Sequence, residues 1–139
     1  MLRRASREAG SPQGYSILLN DAVSVIEPIT TDNAGHYVWG DGCDGWHLLN
    51  REDMSVILER VPPGKCENRH FHRVARQLFF ILEGTATMEL EHETVRLAAN
   101  QSIEVAPGTP HRLRNESSAD LRFLVISVPP SHRDRVDLP

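Results

Sequence analysis

Between Trp46 and Val128 the sequence is a succession of short β-rich runs separated by turn-forming residues, and no stretch carries a helical period. The runs fall at residues 46–49, 55–61, 77–82, 85–90, 94–97, 102–105 and 121–128, and they are rich in Val, Ile, Leu, Phe and Thr. Pro62-Pro63-Gly64, Glu83-Gly84, Ala98-Ala99-Asn100, Pro107-Gly108 and Asn115-Glu116-Ser117-Ser118 lie between them. Earlier candidates stand at residues 15–19, 23–26 and 37–39. This spacing predicts an all-β antiparallel sandwich or barrel. A chain of 139 residues suits one core. We therefore expect an arm over residues 1–14, a β-barrel domain over 15–128 and a second extended arm over 129–139. The segment Gly40-Asp41-Gly42-Cys43-Asp44-Gly45-Trp46 is expected as a tight loop. Its flanking residues, Trp39 and Trp46, either pack one end of the barrel or wall a ligand pocket.

Strand parity adds a constraint. On the run starting at Gln77, one face carries Gln77, Phe79 and Ile81 and the other Leu78, Phe80 and Leu82. Both faces are apolar, so the strand should be covered on both sides, the second cover being another subunit in a homodimer.

Charge and cysteine content narrow the function classes. A formal net charge of −4 argues against a general nucleic-acid binder. No apolar run approaches the roughly 20 residues needed to cross a bilayer, and Met1-Leu2-Arg3-Arg4 has no apolar stretch behind it, so we expect a cytoplasmic protein without a membrane partner. Cys43 and Cys66 are expected as free thiols. Lys65 is the only lysine, and the arginines that replace lysine elsewhere suit capture of carboxylates, although codon bias explains them equally well.

His70 and His72 stand two apart, which on a strand sends both imidazoles to one face. Gln77 lies an odd number of positions from both and cannot share that face on one continuous strand. Residues 73–76 must therefore turn the chain in a hairpin that brings Gln77 back. Pro107-Gly108 makes a second hairpin, from which His111 emerges with Leu113 and Asn115 on its face. Three histidines and an amide oxygen on adjoining strands fit an imidazole-rich site for a divalent ion.

On these residues the chain resembles the cupin superfamily. Gly64, His70, His72 and Gly84 match its first signature, G-x5-H-x-H-x(3,4)-E-x6-G, with Gln77 in place of glutamate. Gly108, His111 and Asn115 match the second, G-x5-P-x-G-x2-H-x3-N; Pro107 is one residue closer to Gly108 and Asn100 takes the first glycine position. The resemblance implies a double-stranded β-helix, or jelly-roll, cupin barrel. It also implies one divalent transition metal ion (zinc, nickel, manganese or iron) at His70, His72, Gln77 and His111, in a family whose members are often dimers. Gln77 leaves such a site one negative charge short, which strengthens Lewis-acid chemistry. Glutamine here is similar to small cupins that act on uronate sugars.

Phe79, Ile81 and Leu113 share faces with the donors and are expected to form apolar pocket walls. Glu59 is the candidate catalytic group, either a general base of raised pKa inside the barrel or a solvent-facing glutamate. Glu67 and Arg69 are placed near the mouth; His36, His47, His92 and His132 are read as surface or packing residues. The resulting expectation is a metal-dependent isomerase, epimerase or lyase of a sugar or sugar acid. A ferrous dioxygenase and a non-catalytic module binding a small carboxylate or sugar are the alternatives.

Overall fold

The computed structural model describes Arg3–Arg4 and residues 24–139. The expected strand at residues 15–19 and most of the expected arm at 1–14 lie outside the described residues. Arg3–Arg4 (β1) pairs in parallel with Ser24–Val25 (β2). Every other described element is also a strand: Gly35–Trp39 (β3), Cys43–Asn50 (β4), Ser55–Val61 (β5), His70–His72 (β6), Arg76–Glu83 (β7), Ala86–Glu89 (β8), Thr94–Leu97 (β9), Ser102–Val105 (β10), Arg112–Arg114 (β11), Leu121–Val128 (β12) and Arg135–Asp137 (β13).

Two antiparallel layers face one another. The first is a six-stranded sheet in the order β10-β7-β12-β5-β4-β3. The second joins β13-β6 to β11-β8-β9 through backbone bridges between His70 and His111 and between Cys66 and Arg114. Inward residues of both layers fill the space between them, with Phe79, Ile81, Val105, Phe123 and Val125 from one side and Ala86, Met88, Leu97 and Leu113 from the other. The fold is all-β, a double-stranded β-helix.

Residues 73–75 and the Pro107-Gly108 turn are not hairpins. β6 pairs with β13 and β7 with β10 and β12, so each turn carries the chain from one layer to the other. A corner of this kind suits a metal site, because the donors can then approach from facing layers. Asn100, at the position where the signature has glycine, adopts φ 69°. Asparagine is among the residues that tolerate this left-handed conformation, so the departure leaves the turn intact.

The expected loop at residues 40–46 is mostly strand. Only Gly40-Asp41-Gly42 turn, and β4 begins at Cys43. Gly45 sits inside that strand for a steric reason: a Cβ there would lie 2.2 Å from Cζ of Tyr37, whose ring crosses the strand at this point. Tyr37, Gly45 and Glu59 are register partners on three neighbouring strands, and the missing side chain lets the Tyr37 hydroxyl reach Glu59. Neither tryptophan lines the cavity that holds Glu59. Trp39 packs on the core, and Trp46 stacks near His36 beneath the Arg122 guanidinium.

The outer face of the six-stranded sheet carries exposed apolar side chains beside the Arg76–Glu104 ion pair. Leu78, Leu82 and Val128 are 36%, 42% and 50% exposed, a pattern that separates this face from the filled interior.

Candidate metal centre

His70, His72 and His111 converge, and all three are buried. Their candidate ligand atoms lie within 4.8 Å of one another. The backbone builds this closeness: His70 N–H donates to His111 O at 3.0 Å and His111 N–H to His70 O at 2.8 Å. Gly108 N–H also donates to His72 O at 2.7 Å, tying the turn before His111 to the strand that carries the first two histidines.

Each ring is fixed by its second nitrogen. Nδ1 of His70 lies 2.7 Å from Asn68 O, and Nδ1 of His111 lies 2.9 Å from Thr109 O. A carbonyl oxygen can only accept, so each Nδ1 carries the proton and each Nε2 keeps its lone pair. Nδ1 of His72 lies 2.8 Å from Oδ1 of Asp134 and is fixed in the same way. Burial pushes the pKa of His70 down to about 3 and of His111 down to about 4, and it lowers His72 as well. All three rings are thus neutral at ordinary pH, the state in which imidazole binds a metal.

Among the four candidate donors, two have a buried polar atom with no partner in the described residues: Nε2 of His111 and Oε1 of Gln77. Gln77 donates through Nε2 to Ser127 Oγ at 3.1 Å, which orients the amide and leaves its oxygen open. It lines the same cavity as His70 and His72. Leaving two such atoms unpaired costs on the order of 1–3 kcal/mol each, a cost that a cation would remove. Neutral imidazoles with an amide oxygen form a donor set suited to a divalent first-row ion.

Asp134 has no counterpart in the sequence reading. It comes from the expected C-terminal arm, which folds back so that β13 pairs with β6. Its other carboxylate oxygen accepts Val74 N–H at 2.9 Å and Ala75 N–H at 2.7 Å. Partial burial alone would raise its pKa; the bonds from Ala75, Val74 and His72 outweigh that and hold it below the ordinary carboxylate range. Asp134 therefore stays charged, holds the His72 tautomer and closes the corner before Gln77. We expect Asp134→Asn to weaken metal binding about 10–100-fold while the fold persists, as measured by chelator competition alongside circular dichroism.

A cavity of about 340 Å³ opens beside the histidines. Phe79, Ile57 and Val125 give it apolar walls; Tyr37, Glu59, Glu67, His47 and Arg135 give it polar ones. Of the residues expected as walls, Phe79 lines it. Ile81 and Leu113 do not: they are 0% and 1% exposed within the core, because they lie deeper between the layers than Gln77 and His111. Glu59 faces this cavity and not the outer surface. Burial pushes it up to about 8, and the charge of Glu67 adds to the rise. The Tyr37 hydroxyl donates to Glu59 Oε1 at 3.3 Å, and the tyrosine is itself raised by burial, so it stays protonated. Glu67 is pushed up to about 7 by burial and accepts Leu113 N–H at 2.9 Å. His47 and His132, read as surface or packing residues, both line the cavity. The alternation of β4 held a signal for His47, since it stands two residues from Gly45. Asn115 stabilises the turn after β11, bonding Val61 O, Ala119 O and Ser117, and does not touch His111.

Residues 57–127, just over half of the chain, match the cupin domain family Cupin_2. The chain belongs to the cupin family. This cupin is 35% identical over 82 residues to the uncharacterized protein MJ1618 of Methanocaldococcus jannaschii, a match spanning 58% of the chain and 66% of that protein. Its fold is shared with an uncharacterized double-stranded β-helix protein from Klebsiella pneumoniae, with a TM-score of 0.67 at 18% identity over 80% of this chain and 96% of that one. A cupin-superfamily sugar phosphate isomerase from Silicibacter pomeroyi is similar with a TM-score of 0.65 at 18% identity, covering 73% and 75% of the two chains.

Proposed function

We propose that this cupin is a metal-dependent enzyme that moves a proton on a small sugar or sugar acid, as an isomerase, epimerase or lyase. The observation that carries the reading is Glu59. A carboxyl of raised pKa, held by Tyr37, shares one small cavity with His70, His72 and Gln77, and His111 converges on the same two rings. His70, His72 and His111 would hold the ion, with Gln77 Oε1 as fourth donor. Zinc, nickel, manganese and iron all accept this set. When bound, the ion supplies Lewis-acid polarisation of a substrate carbonyl.

The protein's own groups account for the proton. Glu59 in its charged form takes it from carbon, and the Tyr37 hydroxyl stabilises the resulting arrangement from one carboxylate oxygen while the other stays free. Glu67 has a pKa suited to returning a proton at neutral pH. Ile57, Phe79 and Val125 exclude water from the reacting centre. The similarity to a sugar phosphate isomerase supports the reaction class.

The test is metal-dependent exchange. Incubated in D2O with a panel of sugars and sugar acids, the metal-loaded protein should place deuterium on a substrate carbon by proton NMR, and the chelated protein should not. Oxygen uptake with iron bound, in place of exchange, would overturn the reading.

We also propose that a second copy covers the outer face around Leu78, Leu82 and Val128, giving a homodimer in the cytoplasm. Sedimentation velocity should show a dimer that Leu78→Glu with Leu82→Glu converts to monomer; an unchanged dimer would place the interface elsewhere.

A further inference from the structure

We propose that Arg135 binds a carboxylate of the substrate and so selects an acid over the matching neutral sugar. The inference rests on the reading of the cavity as a substrate site. Arg135 and His72 are antiparallel register partners, so their side chains leave the same face of the β13–β6 pair as close neighbours. Among the described residues that line the cavity, Arg135 is the only arginine or lysine. It is close enough that its charge acts on His70, His72, His111, Glu59 and Glu67.

Its bonding leaves capacity for a ligand. The Nε–H donates to Asp137 Oδ1 at 2.8 Å, and Nη2 makes a long contact of 3.5 Å with Asn68 O. The other guanidinium N–H groups have no partner among the described residues. The ion pair with Asp137 is exposed, 38% on the arginine side and 59% on the aspartate side, and such a pair holds the side chain only weakly. A planar guanidinium fork matches a carboxylate in two parallel bonds. A phosphate dianion would call for a second cationic side chain, and Arg135 is the only arginine or lysine among the described residues that line the cavity. Burial also raises Glu59 to about 8 and Glu67 to about 7, so that at neutral pH the first is mostly protonated and the second about half, which limits their repulsion of an acid.

The Arg135 position is held by the backbone pairing of β13 with β6, so Arg135→Gln should leave the fold and the metal site in place. Titration calorimetry with a panel of aldohexuronates, their neutral aldohexoses and the hexose phosphates tests the proposal on zinc-loaded and metal-free protein. We expect the wild type to prefer at least one uronate over its neutral sugar by about ten- to a hundredfold. Arg135→Gln should abolish that preference while neutral-sugar binding and zinc content stay unchanged. Arg135→Lys should restore only part of it. A wild type without any preference for acids, a preference that survives in Arg135→Gln, or a stronger preference for the phosphates would overturn the proposal. An acid preference present in protein that takes up no metal would uphold Arg135 and count against the Lewis-acid reading alone.

Discussion

His111→Ala should leave the protein without stoichiometric metal by elemental analysis, and His70→Ala should do the same. The loss should exceed the roughly 10–100-fold expected from removing an outer partner such as Asp134, because a donor is lost and not merely its orientation. The backbone exchange between His70 and His111 uses N–H and C=O groups only, so it survives truncation of either side chain. In His111→Ala the buried unpaired Nε2 is also removed, which offsets part of the cost of the cavity left behind. Folded, metal-free protein is therefore the expected product. A second readout separates metal loss from misfolding. An ion at a hundred times its dissociation constant stabilises the wild type by about 2.7 kcal/mol, and that metal-dependent shift in melting temperature should vanish in the variant. Unchanged metal stoichiometry in both variants would refute the site. Gln77→Glu should retain metal, since a carboxylate oxygen replaces an amide oxygen.

How far the sequence announced this site depends on the range of the interactions. The histidine pair on β6, the turn before Gln77 and the alternation on β7 are local patterns, and strand parity was enough to place those side chains in the interior. Parity could not say how deep an inward residue sits. Ile81 and Leu113 point inward like Gln77 and His111, yet they pack in the core, because depth along the barrel depends on the facing layer. Asp134 and Arg135 were illegible for another reason. They lie more than sixty residues from His72 and reach it only because β13 pairs with β6, a contact with no local signature. Tyr37 was hidden in the same way, its approach to Glu59 depending on the absent side chain of Gly45 across two register pairs.

Glu59→Gln should abolish proton exchange and stabilise the metal-free protein at pH 8, and the two effects together distinguish a working carboxyl from a structural one. The amide keeps the shape and the bond from Tyr37 but cannot accept a proton from carbon, so exchange should fall by about 10²–10⁴-fold. The stability effect follows from the raised pKa. An unfolded glutamate loses its proton near 4.5, whereas Glu59 in the folded chain holds one up to about 8. Between these values the folded state binds more protons than the unfolded state, so this carboxyl makes stability fall as pH rises, with the loss complete above about pH 8. Glu67 adds a fall of the same sign that ends near pH 7. Glu59 is half-buried and opens onto the cavity, so solvent moderates the effect, and a gain of roughly 2–4 kcal/mol at pH 8 is expected for the glutamine variant. At pH 4, where both forms are neutral, the variant and the wild type should melt within about 0.5 kcal/mol of each other. Thermal melts of chelated protein across this range check the sign directly. In the metal-loaded wild type, exchange should rise with pH to a plateau at or below about 8, since a cation in the same cavity favours the charged carboxyl. A variant that keeps its exchange, or one that is no more stable than wild type at pH 8, would remove Glu59 from the mechanism.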